Sequence, residues 1–310
     1  MLGLYRHPFH AMGSRCELRL YARTEDEAAA IARAAVEDVR RLDAKYSSYR
    51  DDSVTAAINR VGAAGGAIDV DVETATLLDY AAACFAQSDG LFDLTSGVLR
   101  EAWGPHRRTA PDAEALERLL RRVGWDKLRW VRPRLEFRVA GMALDFGGVV
   151  KEYAADRAAV ICAEAGIRHG LVDLGGDIKI IGPHPDEAPW SVGIQHPRRP
   201  DAVMATLEVT RGAVATSGDY ERYLEIDGRR YCHIVSPRTG RPVQGLAGVS
   251  VFAEECVVAG SATTIAMLME ERGPAWLEEV GLPHVWMDRD LGVGGTYASM
   301  AKQASPAARR

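Results

Sequence analysis

The chain has 310 residues, of which 47% are hydrophobic and 26% are charged. This composition is typical of a soluble globular protein with a sizeable core, arranged as one large domain or two. The net charge of −5 at pH 7 argues against a nucleic-acid-binding protein, because phosphate recognition needs a basic surface.

Targeting and redox signals are absent from the sequence pattern. The opening residues MLGLYRHPFHAMGSRCELRLYA lack the continuous apolar region of a signal peptide, and no later stretch approaches the roughly eighteen apolar residues of a membrane helix. We therefore expect a cytoplasmic protein that is not inserted in a membrane. The odd number and wide spacing of the cysteines predict buried free thiols; they are Cys16, Cys84, Cys162, Cys232 and Cys256.

The first half of the chain mixes helices with short strands. A strand is predicted around Cys16 to Tyr21, and a capping box at Thr24 to Glu27 begins a helix whose apolar residues recur at helical spacing to Leu42. The following pattern predicts, in chain order, a short segment from Ser53 to Asn59, a Gly/Ala-rich turn, a helix near Val72 to Gln87, a helix from Pro111 to about Val123, and strands at Lys127 to Val131 and Leu135 to Val139.

Two Gly-Gly junctions follow. Residues 144–153 predict an apolar strand, paired glycines and then a helix running to about Glu164. Free backbone N–H groups at such a helix start can hold a phosphate, although neither GxGxxG nor a P-loop is present. Leu174-Gly175-Gly176-Asp177 repeats the Gly-Gly pattern, which a tight turn alone also explains.

The second half predicts several more strands and two helices. The strands are expected at Ile178 to Ile181, Trp190 to Gln195, Val203 to Val209, Val249 to Phe252 and His284 to Met287, and the helices near Val257 to Met269 and Pro274 to Val280. This mixed order favours an α+β fold over a doubly wound parallel sheet. We expect a single domain over residues 1–300 and a disordered tail over 301–310.

Residues 215–243 hold the least ordinary segment, ATSGDYERYLEIDGRRYCHIVSPRTGRPV. Tyr223 to Ile226 and Arg229 to His233 read as two strands joined by Asp227-Gly228, a pair suited to a type I′ turn. The segments before and after this hairpin carry hydroxyls, a carboxylate, an imidazole and a guanidinium. We expect the hairpin to bring these groups together as part of a site.

Several motifs occur in one order along the chain. They are Met12-Gly13-Ser14, Ser48-Tyr49 with Ser53 and Asn59, Gly90-Leu91-Phe92-Asp93-Leu94-Thr95, Leu144-Asp145 through Lys151 and Tyr153, Leu174 to Asp177, and the hairpin segment. Together they resemble the ApbE family of flavin transferases, the FAD:protein FMN transferases.

The resemblance implies a fold, an activity and partners. The fold would be α+β, ApbE-like and related to the T-fold, with mixed or antiparallel sheets and packed helices. The activity would be magnesium-dependent cleavage of FAD, with release of AMP and attachment of FMN through a phosphoester to a Thr or Ser of a target protein. The partners would be FAD, Mg²⁺ and an unidentified flavin-acceptor protein.

The resemblance also implies roles for individual residues. His233, Asp219 and Arg238 would be catalytic. The FAD-binding residues would be Met12, Tyr49, Leu91, Phe92, Asp93, Asp145, Lys151, Asp177, Thr216, Ser217, Gly218, His233 and Ile234. Gly148, through its backbone carbonyl, and Thr264 would bind the metal. Without the motif set, Met12 and Tyr49 would read as core residues, residues 88–97 as a structural turn, and His233 as a satisfied structural histidine.

Three positions depart from the family pattern. The aspartate expected four residues before Thr264 is Gly260, the glycine expected after Lys151 is Glu152, and the aspartate expected before Pro237 is Ser236. Loss of the carboxylate at 260 removes an anionic ligand that a hard divalent ion favours. Two alternatives to an active transferase therefore stay open: an FAD-binding carrier or sensor, and an FAD pyrophosphatase.

Overall fold

The computed structural model describes residues 1–104, 107–220 and 222–298. Its strands are β1 Gly3–Ala11, β2 Ser14–Ala22, β3 Gly66–Asp69, β4 Leu128–Val131, β5 Arg134–Phe137, β6 Gly170–Leu174, β7 Asp177–Gly182, β8 Trp190–His196, β9 Arg199–Val209, β10 Ala213–Gly218, β11 Tyr223–Ile226, β12 Arg229–Cys232, β13 Leu246–Ala253, β14 His284–Asp288 and β15 Val293–Gly294. Its α-helices are α1 Glu25–Tyr46, α2 Val54–Ala64, α3 Val72–Gln87, α4 Arg100–Trp103, α5 Ala113–Leu120, α6 Val150–Glu164, α7 Cys256–Met269 and α8 Gly273–Glu279.

One large antiparallel sheet organises the fold. Its strand order is β1-β2-β6-β7-β10-β13-β14-β15, and each neighbouring pair runs antiparallel. Smaller antiparallel sheets form from β3-β5-β4, β8-β9 and β11-β12. The predicted α+β class with antiparallel sheets and packed helices is confirmed.

Three helices cover the face of the sheet on which the main core lies. Helix α6 packs against α1, α7 and β7, and α7 packs against β10 and β13. The buried face of α6 consists largely of alanines, which allow the helices to approach closely, and α7 is apolar nearly all round, as a buried helix must be. The start of α6 and the middle of α7 are therefore held side by side.

Local sequence signals account for the capped helices and the tight turns. Thr24 accepts a hydrogen bond from the Glu27 backbone N–H at the start of α1, as the capping box predicts. Met12-Gly13 and Asp227-Gly228 have positive φ at both residues and join paired strands, which is the geometry of a type I′ turn. The five cysteines are buried and free, as predicted.

Some predicted elements are wrong or incomplete. Leu144 to Phe146 is not a strand, because the Asn59 side chain bonds both backbone groups of Leu144 and the Asp145 N–H donates to the Leu94 carbonyl. Strands β1 and β3 were not predicted. The predicted tail over 301–310 lies outside the described residues, and no helix within them is long and apolar enough to cross a membrane.

Candidate functional site

The N-terminus of α6 forms the centre of the candidate site. Gly147 and Gly148 precede it, and no described side chain caps the helix. The Val150 N–H donates to the Phe146 carbonyl, so the N–H groups that follow it in the first turn are the ones that an anionic ligand could use. The ring of Phe92 lies beneath this junction, since a Cβ added at Gly148 would be 3.5 Å from its Cζ. Leu91 and Phe92 are buried in the main core, where they support the loop.

Asp145 lies just before this junction in a network that joins distant segments. Its carboxylate accepts hydrogen bonds from Ser48 Oγ (3.2 Å), Arg100 Nη1 (2.9 Å) and the Gly147 N–H (2.8 Å). The guanidinium of Arg100 stacks on the ring of Tyr49, with its Cζ 4.4 Å from the ring centroid. Tyr49 is 79% exposed, so core packing does not explain it and its ring is free to stack on a ligand.

A buried ion pair ties α6 to the sheet. Lys151 Nζ lies 2.7 Å from Asp177 Oδ2, and Asp177 Oδ1 accepts from the Thr216 N–H on β10. Burial alone would lower the pKa of Lys151, but the Asp177 charge and then the Glu152 charge raise it overall, so the ammonium stays charged. The site thus holds one permanent positive charge beside the free end of α6.

Glu152 follows Lys151 on the first turn of α6. Its side chain is buried, and its Oε2 has no hydrogen-bond partner among the described residues. Burial and then the neighbouring Asp177 carboxylate raise the pKa of Glu152 to about 8. A buried carboxylate next to another carboxylate lowers the stability of a fold. We therefore assign Glu152 to the candidate site, although its side chain lies in the buried interior.

His233 lies just after β12, at the end of the hairpin. Its Nδ1 is 3.0 Å from the Arg222 carbonyl oxygen, which can only accept, so Nδ1 carries the proton and Nε2 holds the free lone pair of the neutral ring. Desolvation lowers the pKa of His233, the hydrogen bond to the Arg222 carbonyl opposes this by a smaller amount, and the charges of Arg222 and Lys151 lower the pKa further. The geometry favours a neutral imidazole that can accept a proton at Nε2.

Arg222 links the hairpin to the first two strands. Its Nη2 donates to the Met12 carbonyl (3.2 Å) and to Ser14 Oγ (3.1 Å). Met12 is half-buried, its φ is +52°, and its N–H donates to Asp43 Oδ2 at 2.8 Å. Residues with positive φ other than glycine are uncommon, and the strain they carry concentrates at functional sites.

Some predicted site residues are engaged elsewhere in the chain. Asp219 forms a bidentate ion pair with Arg198, and Arg238 donates to the carbonyl and the carboxylate of Asp89. The buried Asp93 carboxylate accepts from the N–H and hydroxyl of Thr95 and from the Trp125 N–H. For Asp93, these contacts agree with a structural turn, which is the alternative that the sequence also allowed for its segment.

The remaining predicted residues line the strand and the helix beside Lys151. Thr216 Oγ1 pairs with Ser250 Oγ at 2.7 Å, and Ser217 Oγ pairs with Thr263 Oγ1 at 2.8 Å, which fastens β10 to α7. Gly218 ends β10, and Ile234 is buried beside His233.

The predicted metal-binding residues lie on two neighbouring parts of the fold, since α6 and α7 pack against each other. Gly148 precedes α6, while Thr264 is half-buried on α7. No group of three or more His, Cys, Asp or Glu side chains in the described part of the chain could hold a metal. Mg²⁺ on a diphosphate does not need one, because it is usually bound by one or two carboxylates together with phosphate oxygens and water. The unpartnered Glu152 oxygen is compatible with such an ion.

Sequence reasoning missed three members of this constellation. Arg100 belongs to no quoted motif, and Arg222 lies in the quoted hairpin segment but was given no role; only their positions in space connect them to Asp145 and Met12. Glu152 was noticed as a departure from the family pattern but was given no role. The sequence signal that could have identified it is an acidic residue in the first turn of a helix whose N-terminus is otherwise suited to a diphosphate.

A helix N-terminus that no described side chain caps, a half-buried lysine and a histidine are groups that suit a diphosphate ester. The model of the ApbE family matches residues 12–286, and the chain belongs to that family. The crystal structure of the ApbE protein from Thermotoga maritima superposes with a TM-score of 0.89 at 30% identity, covering 96% of this chain and 99% of that one. The apo flavinyl transferase ApbE from Pseudomonas stutzeri gives 0.83 at 29% identity, with 96% of each chain covered.

A curated relative extends the same comparison to sequence. The FAD:protein FMN transferase of Rhodobacter capsulatus is 28% identical over 294 residues, which cover 92% of this chain. The chain spans 55% of that relative's length.

Proposed function

We propose that the protein is a flavin transferase that cleaves FAD at its diphosphate, releases AMP and attaches FMN to a hydroxyl of a target protein. The observation that carries the proposal is the free N-terminus of α6, with Lys151 beside it and His233 within range of the Lys151 charge, in a chain of the ApbE family. Relatives named as FAD:protein FMN transferases support the same activity.

The residues have distinct tasks in this reaction. The N–H groups at the start of α6 and the Lys151 ammonium hold the diphosphate, and the exposed ring of Tyr49, stacked with Arg100, offers a face to one of the ring systems of FAD. Asp145 fixes Arg100 and the Gly-Gly junction in place. Mg²⁺, when bound, would neutralise charge on the diphosphate.

His233 handles the proton of the acceptor. The Thr or Ser oxygen attacks the phosphorus of the FMN half, the bond from that phosphorus to the bridging oxygen breaks, and AMP leaves with the bridging oxygen. The hydroxyl proton passes to Nε2 of His233, whose Nδ1–H is held by the Arg222 carbonyl. Replacing His233 by Gln should lower the transfer rate about 100-fold or more while leaving FAD binding intact.

Mass spectrometry of an acceptor protein tests the proposal. The acceptor of the Pseudomonas stutzeri transferase is incubated with this chain, FAD and Mg²⁺, with that transferase as the positive control. The account expects a mass increase of one FMN on a Thr or Ser, together with released AMP.

Other outcomes separate the alternatives. FAD binding without AMP or adduct would indicate a carrier or sensor, and AMP with free FMN would indicate a pyrophosphatase. Because acceptors can be specific, a negative result is repeated with acceptors of other relatives. The transferase proposal is abandoned if none is modified while each relative's own enzyme modifies its acceptor.

A further inference from the structure

Glu152 is an unusual residue for its position in the core. The side chain is 7% exposed, on the first turn of α6, and its Oε2 has no hydrogen-bond partner in the described part of the chain. The Asp177 carboxylate lies within hydrogen-bonding reach of this side chain, but two ionised carboxylates are both acceptors and can be joined only by a proton or a cation.

The Glu152 side chain occupies the place that a side chain on Gly260 would need. A Cβ built on Gly260 would lie 2.3 Å from Glu152 Cγ, 2.9 Å from Cδ and 3.1 Å from Oε1. Glu152 therefore brings a carboxylate to the immediate surroundings of position 260, where glycine leaves room for it.

Neighbouring carboxylates are already engaged. Asp177 pairs with Lys151, and Asp156 accepts from the Cys256 and Val257 N–H groups at the start of α7. Glu255 pairs with Lys179 at 2.7 Å. In the described part of the chain Asp177 Oδ2 also lacks a hydrogen bond, but it lies 2.7 Å from the Lys151 ammonium, so Glu152 Oε2 is the buried oxygen of this group that no ion pair covers.

Two further oxygen donors belong to the same two helices, the Thr264 hydroxyl on α7 and the Gly148 carbonyl just before α6. Thr264 follows Gly260 by four residues, so the two share one face of α7, and helical side chains lean toward the N-terminus, which directs Thr264 toward Gly260. Gly148 precedes the turn that carries Glu152. A carboxylate, a hydroxyl and a carbonyl beside a diphosphate-binding helix end form a donor set that suits a small hard cation.

We propose that Glu152 is the carboxylate ligand of a divalent cation, Mg²⁺ by its donor chemistry, bound between α6 and α7. Glu152 on α6 would then replace the aspartate that the family pattern places at 260 on α7, so the two departures from the pattern compensate each other. The inference rests on the proposed function, because the diphosphate of FAD would share the ion. It adds a ligand that the family pattern lacks.

Mn²⁺ binding, followed by electron paramagnetic resonance, tests the inference without relying on turnover. Mn²⁺ is titrated into the full chain, with and without FAD, for the wild type, Glu152→Gln and Glu164→Gln. Glu164 is exposed at the other end of α6 and serves as the matched control. Glu152→Gln should weaken Mn²⁺ binding at least about tenfold, and the control should bind as the wild type does.

A reciprocal variant distinguishes loss of a ligand from loss of the fold. Glu152→Gly alone should lose affinity for Mn²⁺, whereas Glu152→Gly combined with Gly260→Asp should regain it. Thermal unfolding in EDTA reports folding, and Glu152→Gln should be about as stable as the wild type because glutamine keeps the shape of the side chain and needs no counterion.

The outcomes separate this inference from the function. Unchanged affinity in Glu152→Gln, or no Mn²⁺ binding by the wild type with or without FAD, would overturn the assignment of Glu152. Mn²⁺ binding that depends on Glu152, in a protein that transfers no FMN, would leave the assignment standing and refute the transferase.

Discussion

Two clusters of charge in this protein surround a glutamate with opposite kinds of neighbour, cations in one and a carboxylate in the other. Between α1 and α3, Glu73 receives two hydrogen bonds from Arg41 and one from Lys45, which also contacts Asp71. Between α6 and α7, Glu152 has an unpaired oxygen and another carboxylate beside it. We name them the α1–α3 charge cluster and the α6–α7 carboxylate site.

The pKa values express this difference. Hydrogen bonds from Arg41 lower the pKa of Glu73 to about 2, whereas burial raises the pKa of Glu152 to about 8. A saturated carboxylate stabilises the fold, and an unsaturated one costs stability unless something binds to it. The first cluster therefore holds helices together, whereas the second is the place at which we propose that a cation binds.

The largest effect should follow from removing the one cation at the α6–α7 carboxylate site. Lys151→Met leaves Asp177 buried without its partner, next to Glu152. We expect the free energy of unfolding, measured in urea, to fall by about 3 kcal/mol.

A second substitution provides the control for Lys151. In Lys151→Met/Asp177→Asn the uncompensated charge is gone, so much of the loss should be recovered. A fall below about 1 kcal/mol in the single variant would mean that the pair contributes little to the fold.

A smaller effect should come from adding one methyl group to α7. Gly260→Ala would place a Cβ 2.3 Å from Glu152 Cγ, and crowding of this kind costs about 1–3 kcal/mol. In a Glu152→Gly background the same change should be neutral or stabilising by up to about 1 kcal/mol, because alanine favours helix and the space is free.

Chemical denaturation of the four proteins in this cycle gives the coupling energy. Equal effects of Gly260→Ala in both backgrounds would show that the Glu152 side chain does not fill the space beside Gly260.

The sequence predicted local features well and distant contacts poorly. The capping box of α1 and the Asp227-Gly228 turn depend on residues a few positions apart, and both are present as predicted. The strand predicted at Leu144 to Phe146 failed because Asn59, far away in the chain, takes its backbone hydrogen bonds.

The same limit applied to the site. Gly260 and Glu152 appeared in the sequence as two separate departures, the first of them a lost ligand. Only the packing of α6 on α7 shows that the Glu152 side chain occupies the space that a side chain at 260 would need. Arg100 likewise carries no motif, and its stacking on Tyr49 exists only in three dimensions.

The smallest expected effect concerns the α1–α3 charge cluster and pH. Because the pKa of Glu73 is lowered from 4.5 to about 2, its stabilisation is present above pH 4.5 and is lost as the pH falls toward 2. Arg41 is partly exposed, and solvent screening reduces the contribution to about 1 kcal/mol.

Thermal unfolding from pH 7 to pH 3 checks this expectation. Glu73→Gln should lower stability at pH 7, and its difference from the wild type should shrink toward pH 3. Mn²⁺ binding should be unaffected, and a loss of metal affinity in Glu73→Gln would contradict the separation of the two regions.

The central claim is that the α6–α7 carboxylate site binds the metal that FMN transfer uses, with Glu152 in the role that Gly260 cannot fill. The most direct test measures FMN attachment to an acceptor by mass spectrometry for the wild type, Glu152→Gly, and Glu152→Gly/Gly260→Asp, each with FAD and Mg²⁺. The account predicts transfer by the wild type, little by the single variant and recovery in the double variant. Undiminished transfer by Glu152→Gly would contradict it.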